Sequence, residues 1–139
     1  MTSPAIARQP IGKASLDPVR VLIADDDDVV RQELGSYLAD EGFEIVGFAA
    51  DGLEAFEQAA WLRPDVVLMD LRMPNMDGVA ATNLIKSQSP QIPVVILTAF
   101  PSPDNRWAAQ LSGAFSLLDK GASLAMLVET LRSAADGLR

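Results

Sequence analysis

The chain has 139 residues, 49% hydrophobic and 22% charged, which supplies one packed core and leaves little room for a second domain. Its net charge of −8 would repel phosphates, so this domain alone is not expected to bind nucleic acid; a role in transcription would need something else to touch DNA. With no Cys there are no disulfides and no thiolate chemistry, and with no His a zinc site or a Ser-His-Asp hydrolase is disfavoured.

Residues 1–18, MTSPAIARQPIGKASLDP, show no apolar period and lack the apolar centre of a secretory signal. They are expected to form a flexible N-terminal arm, carrying Arg8, Lys13 and Asp17, ahead of a single domain over 19–139. No apolar run approaches bilayer length, so no membrane contact is expected, and the missing Cys is compatible with a cytoplasmic location.

The first predicted strand is 19-VRVLIA-24, ending in the four aspartates Asp25 to Asp28. Adjacent like charges repel and resist burial, so the run needs an explanation. A helix follows, with Val30, Leu34 and Leu38 recurring every fourth residue and Gly42 placed to end it. Asp27 and Asp28 suit its N-terminus, where negative charge complements the dipole and one of them can cap. Strand 43-FEIVGFA-49 comes next. A second helix carries Leu53, Phe56 and Ala60, with Asp51 as N-cap and Pro64 beyond its end. Strand 66-VVLM-69 leads to Asp70, and a third helix runs over Val79, Leu84 and Ile85, stopping before Pro90. Strand 92-IPVVILT-98 precedes a helix from Asp104 to Leu111, and strand 114-AFSLL-118 precedes a last helix capped by Ser123, with Leu124, Leu127, Val128 and Leu131 on one face. Several strands are almost continuously apolar, as expected of strands covered on both faces.

Five β-α units in succession imply parallel crossovers and an α/β doubly wound sheet. Ligands of such sheets bind at the carboxyl edge, so the residues ending strands carry the chemistry. They are the acidic cluster from Asp25, the isolated Asp70, the hydroxyl of Thr98 and the cation Lys120. If these converge, they form a hard-oxygen magnesium site beside a carboxylate able to attack phosphorus, flanked by two groups suited to phosphate oxygens.

The stretches 21-VLIADD-26, 68-LMDLRMPNMDG-78, 96-ILTA-99 and 113-GAFSLLDKGAS-123, in this order, resemble the receiver domain of two-component response regulators over residues 19–136. The wording around Lys120-Gly121-Ala122-Ser123 is most similar to receivers of the LuxR/NarL-type class. The resemblance implies a flavodoxin-like five-stranded parallel sheet of strand order 2-1-3-4-5 with five helices. It implies phosphorylation of Asp70 by a sensor histidine kinase, with Thr98 and Lys120 assisting. It also implies a Mg²⁺ ion held by Asp25, Asp26, Asp70 and the main-chain carbonyl of Arg72. In the family the positions of Arg72 and Phe100 face the phosphoryl group, and a bulky Phe100 is expected to screen it from water.

Two positions depart from the family. An aromatic often stands where this chain has Leu117, which puts aromatic switching in doubt, and Lys-Pro is replaced by Lys120-Gly121. A cis bond without proline costs about 3 kcal/mol, so that bond is expected to be trans or strained. Trp107, if exposed, is a candidate anchor for a partner; packed on the sheet, it is only core.

The leading expectation is a phosphorylation-controlled switch in a signalling relay. It assists its own modification without being an enzyme, and it alters affinity for a downstream effector, a fused output domain or a second copy of itself. A receiver-like interaction module independent of phosphorylation is the alternative. A phosphohydrolase is disfavoured because such enzymes usually carry a second Asp two residues after the nucleophile, where this chain has Arg72. The final 136-DGLR-139 is a place where a linker to a DNA-binding domain could begin.

Overall fold

A computed structural model describes residues 17–137, so the expected arm lies almost wholly outside the described residues. The elements alternate strictly: β1 (Arg20–Ala24), α1 (Asp28–Asp40), β2 (Glu44–Ala49), α2 (Gly52–Leu62), β3 (Val66–Asp70), α3 (Gly78–Gln88), β4 (Val94–Thr98), α4 (Pro103–Leu111), β5 (Ser116–Asp119) and α5 (Leu124–Asp136). The strands form one sheet in the order β2-β1-β3-β4-β5, and each neighbouring pair is parallel. This is the expected 2-1-3-4-5 doubly wound topology.

The strand sequences explain the order. VVLMD and VVILT of β3 and β4 are buried at every position, as central strands with helices on both faces must be. Side chains alternate across β1: Leu22 and Ala24 enter the cluster under α2, α3 and α4, while Val21 and Ile23 enter the one under α1 and α5. The edge strands β2 and β5 are only partly covered.

Capping residues set each helix start. Asp27, Asp51, Asp77, Ser102 and Ser123 each accept from backbone N–H groups in the first turn. Of the two candidate caps for α1, Asp27 takes the role and Asp28 is the first helical residue. Gly42 follows the end of α1 with φ +98°, a conformation open to glycine.

Two helices depart from expectation, and a third settles an open alternative. On α2 the inward residues are Gly52, Ala55 and Ala59, while Leu53 and Ala60 face solvent and Phe56 is half-buried. The helix packs against α3 and the sheet through its small residues, so the large ones turn outward. On α5 the buried line runs Leu127, Leu131, Ala134, leaving Leu124 open at the helix start. Trp107 is 61% exposed, because Ala109 is the only buried residue of the short α4. Among the described residues no helix is long and apolar enough to cross a membrane.

Candidate functional site

Parallel pairing brings the ends of β1, β3, β4 and β5 to one edge. The four aspartates that leave β1 enter four different environments. Asp25 is still tied to the sheet, its N–H donating to the Ala49 carbonyl at 3.0 Å, and it is only 2% exposed. Its Oδ1 accepts the Asp27 N–H at 2.8 Å and its Oδ2 accepts Lys120 Nζ at 3.0 Å. Asp26 is exposed, and its carboxylate meets no hydrogen-bond donor or cation among the described residues. Asp27 is occupied in capping α1. Asp28 pairs with Arg31 Nη2 at 2.8 Å, and Nη1 of the same guanidinium donates to the Asp25 carbonyl at 2.7 Å. One arginine therefore offsets an outer charge and fixes the main chain beside an inner one.

Asp70 ends β3 at 9% exposure, with Lys120 Nζ 3.4 Å from its Oδ2. The lysine is placed by its own backbone, whose N–H donates to the Thr98 carbonyl at 2.8 Å and ties the end of β5 to that of β4. Thr98 is fully buried, and its Oγ1 accepts the Phe100 N–H at 3.0 Å. The Phe100 ring is half exposed under the Arg72 guanidinium, 4.4 Å from the ring centre, so the loops after β3 and β4 touch each other. Leu117 is half-buried, packed on the core beneath α4, and the Lys120–Gly121 bond is trans.

The electrostatics follow from this crowding. Burial raises the Asp70 pKa above the usual carboxylate range, and the Asp25 charge adds to the rise; Lys120 offsets only part of it. For Lys120, burial pulls the pKa down, but the Asp25 hydrogen bond and the charges of Asp70 and Asp25 prevail and hold it above the ordinary lysine value. Asp25, Asp26 and Asp70 offer carboxylate oxygens that all lie within 4.8 Å of one another. An anionic all-oxygen donor set with one carboxylate left unpartnered suits a hard divalent cation such as Mg²⁺.

Sequence reasoning named every strand-end group that the fold assembles. It missed Arg31, whose signal was present: an arginine three residues after Asp28 on a helix lies on the same face.

The receiver-domain model of response regulators matches residues 21–132, and the chain belongs to that family. It is therefore a response regulator receiver domain of the kind used in two-component systems. It is 42% identical over 122 residues to the transcriptional regulatory protein PdtaR of Mycobacterium tuberculosis, a match covering 88% of this chain and 59% of PdtaR. The chain thus spans a little over half the length of the curated relatives it matches. Among solved structures, the signal receiver domain of Mycobacterium tuberculosis NarL superposes with a TM-score of 0.83 at 30% identity, covering 88% of this chain and 99% of that one. A chain of the CheX–CheY–BeF3–Mg²⁺ complex of Borrelia burgdorferi superposes at 0.78 with 28% identity, covering 84% and 89%.

Proposed function

We propose that this receiver accepts a phosphoryl group on Asp70 from a histidine kinase and uses the added charge to switch a partner-binding or dimerisation surface, in the service of transcriptional control. The observation that carries the reading is Lys120 Nζ standing between the Asp25 and Asp70 carboxylates at the end of a central strand. A buried carboxylate facing a lysine at the carboxyl edge of a parallel sheet is suited to accept a phosphoryl group.

In the proposed chemistry an Asp70 oxygen attacks phosphorus in line with the departing imidazole nitrogen of the kinase phosphohistidine. The P–N bond breaks as the P–O bond forms, and the product is an acyl phosphate. Lys120 moves from sharing two carboxylates to pairing with a phosphoryl oxygen. Thr98 donates its O–H to another oxygen while still accepting from the Phe100 N–H. Asp25, Asp26, Asp70 and the Arg72 carbonyl would hold Mg²⁺, which when bound neutralises phosphoryl charge. Inward movement of Thr98 and Lys120 then shifts α4 and β5, a surface where Trp107, Leu111 and, just before β5, Phe115 are exposed.

On this reading the chain is a stoichiometric substrate and not an enzyme, works in the cytoplasm, and passes its signal to an output domain or separate effector. The similar Borrelia burgdorferi chain comes from a CheX–CheY–BeF3–Mg²⁺ complex, which supports the phosphoryl reading, and the greater length of PdtaR supports an output element outside this domain. Phe100, stacked on Arg72, shields the acyl phosphate, so Phe100→Ala is expected to shorten its lifetime several-fold in a hydrolysis time course.

The test is incubation with acetyl phosphate and Mg²⁺ followed by intact-protein mass spectrometry. A phosphoryl adduct that EDTA prevents is expected. No adduct with acetyl phosphate or any cognate kinase would leave the phosphorylation-independent module, which the aliphatic Leu117 favours, as the better reading.

A further inference from the structure

The loop joining β3 to α3, residues 71–77, begins beside Asp70 and carries Arg72. It is fastened at its base to the start of α3 and at its tip to the start of α2. At the base, the Gly78 N–H donates to the Leu71 carbonyl at 2.8 Å, and a Cβ on Gly78 would collide with the Asp70 carbonyl. At the tip, Asn75 Nδ2 donates to Asp51 Oδ2 at 2.6 Å, and the Gly52 N–H donates to the Met76 carbonyl at 2.9 Å. A Cβ on Gly52 would overlap that carbonyl, so the start of α2 and the loop tip touch backbone to backbone.

The partners at this junction are set in advance. Asp51 Oδ1 caps α2 through the Glu54 N–H at 2.8 Å, and Glu54 Oε1 returns to the Ala50 N–H at 2.6 Å, which leaves Oδ2 aimed at Asn75. Asn75 has φ +66°, a left-handed conformation that few side chains tolerate and asparagine accepts more readily. On its other flank the loop is held by Arg72 stacked on Phe100. The seven residues next to Asp70 are therefore stretched between α2 and the segment after β4.

We infer that Asp51, Gly52 and Asn75 form a clasp that positions the β3–α3 loop, and with it the Arg72 main chain, against Asp70, so that the start of α2 tunes the cation affinity of the acidic cluster. This rests on the reading of that cluster as a magnesium-dependent phosphoryl acceptor. The three are positioning residues, since none touches the carboxylates themselves.

The test is calorimetric titration of Mg²⁺ into the wild type and three variants, with melting temperatures measured in EDTA. Asn75→Gly removes the amide but keeps the left-handed backbone open. It is expected to weaken Mg²⁺ binding about five-fold, the scale of one lost hydrogen bond, with little change in melting temperature. Its phosphorylation by acetyl phosphate should be slower at low Mg²⁺ and recover at saturating Mg²⁺. Asp51→Ala is expected to weaken binding similarly and to melt lower from loss of the cap, and adding it to Asn75→Gly should weaken binding no further. Asp51→Asn retains the cap through its oxygen and can donate its amide to a flipped Asn75, so binding should stay near the wild type. Equal Mg²⁺ affinity in the wild type and Asn75→Gly overturns the clasp alone. A wild type that binds no Mg²⁺ overturns both the clasp and the reading it rests on.

Discussion

At the scale of single residues, the run Asp25 to Asp28 is a division of labour. Asp25 is buried against Lys120, Asp26 is open and unpartnered among the described residues, Asp27 caps α1 and Asp28 faces Arg31. Neighbouring substitutions should therefore have opposite effects. Asp27→Ala is expected to cost about 1 kcal/mol in urea denaturation, as for other lost N-caps, and to leave Mg²⁺ affinity nearly intact. Asp26→Ala should leave stability unchanged or higher and abolish Mg²⁺ binding in the same calorimetric cell. Asp70 adds a pH dependence whose sign is fixed. Its pKa is raised on folding from 3.8, so the native state holds the proton to higher pH than the unfolded chain does. The associated stability is complete below the unfolded value and is lost as pH rises through the folded one. In metal-free protein, Asp70→Asn should therefore stabilise at neutral pH, and the gap from the wild type should narrow in mild acid. Equal stability of the two at neutral pH would show that Lys120 already compensates the burial. An acidic run, a lone strand-end aspartate and a late lysine were legible one by one. That Lys120 reaches back 95 positions to Asp25 was not, because contact across that separation is set by sheet order and not by local pattern.

At the scale of elements, the strands were legible to within two residues, because β3 and β4 are apolar up to their last residues, Asp70 and Thr98. Helix starts were legible where a cap was unambiguous, as at Asp51 and Ser123. Helix faces were not always. On α2 the apolar period fits either Leu53, Phe56 and Ala60 or Gly52, Ala55 and Ala59, and tight packing on α3 selects the small set. Burial predicts the mutational asymmetry. Ala55→Leu, at a fully buried position, is expected to cost about 1–3 kcal/mol through overpacking. Leu53→Ala on the exposed face should stay within about 0.5 kcal/mol of the wild type. Comparable losses from the two in urea denaturation would mean that α2 presents its other face to the core.

At the scale of the whole molecule, the fold explains why chemistry gathers where it does. Parallel strands joined by helices carry every strand's carboxyl end to one edge, so Asp25, Asp70, Thr98 and Lys120, spread over nearly a hundred residues, all lie at that edge. The helices cover the two sheet faces, and the loops that leave this edge touch one another, as Arg72 does on Phe100. Everything proposed for this edge depends on Asp70, and neither Asp25 nor Asp26, receiving the phosphoryl group. Borohydride reduces an acyl phosphate to an alcohol, so treating the acetyl-phosphate-reacted protein with borohydride and sequencing its peptides by mass spectrometry marks the acceptor directly. Homoserine at position 70, absent from unreacted protein and from Asp70→Asn, is the predicted result; homoserine at position 25 or 26 instead, or at none of the three, would contradict it.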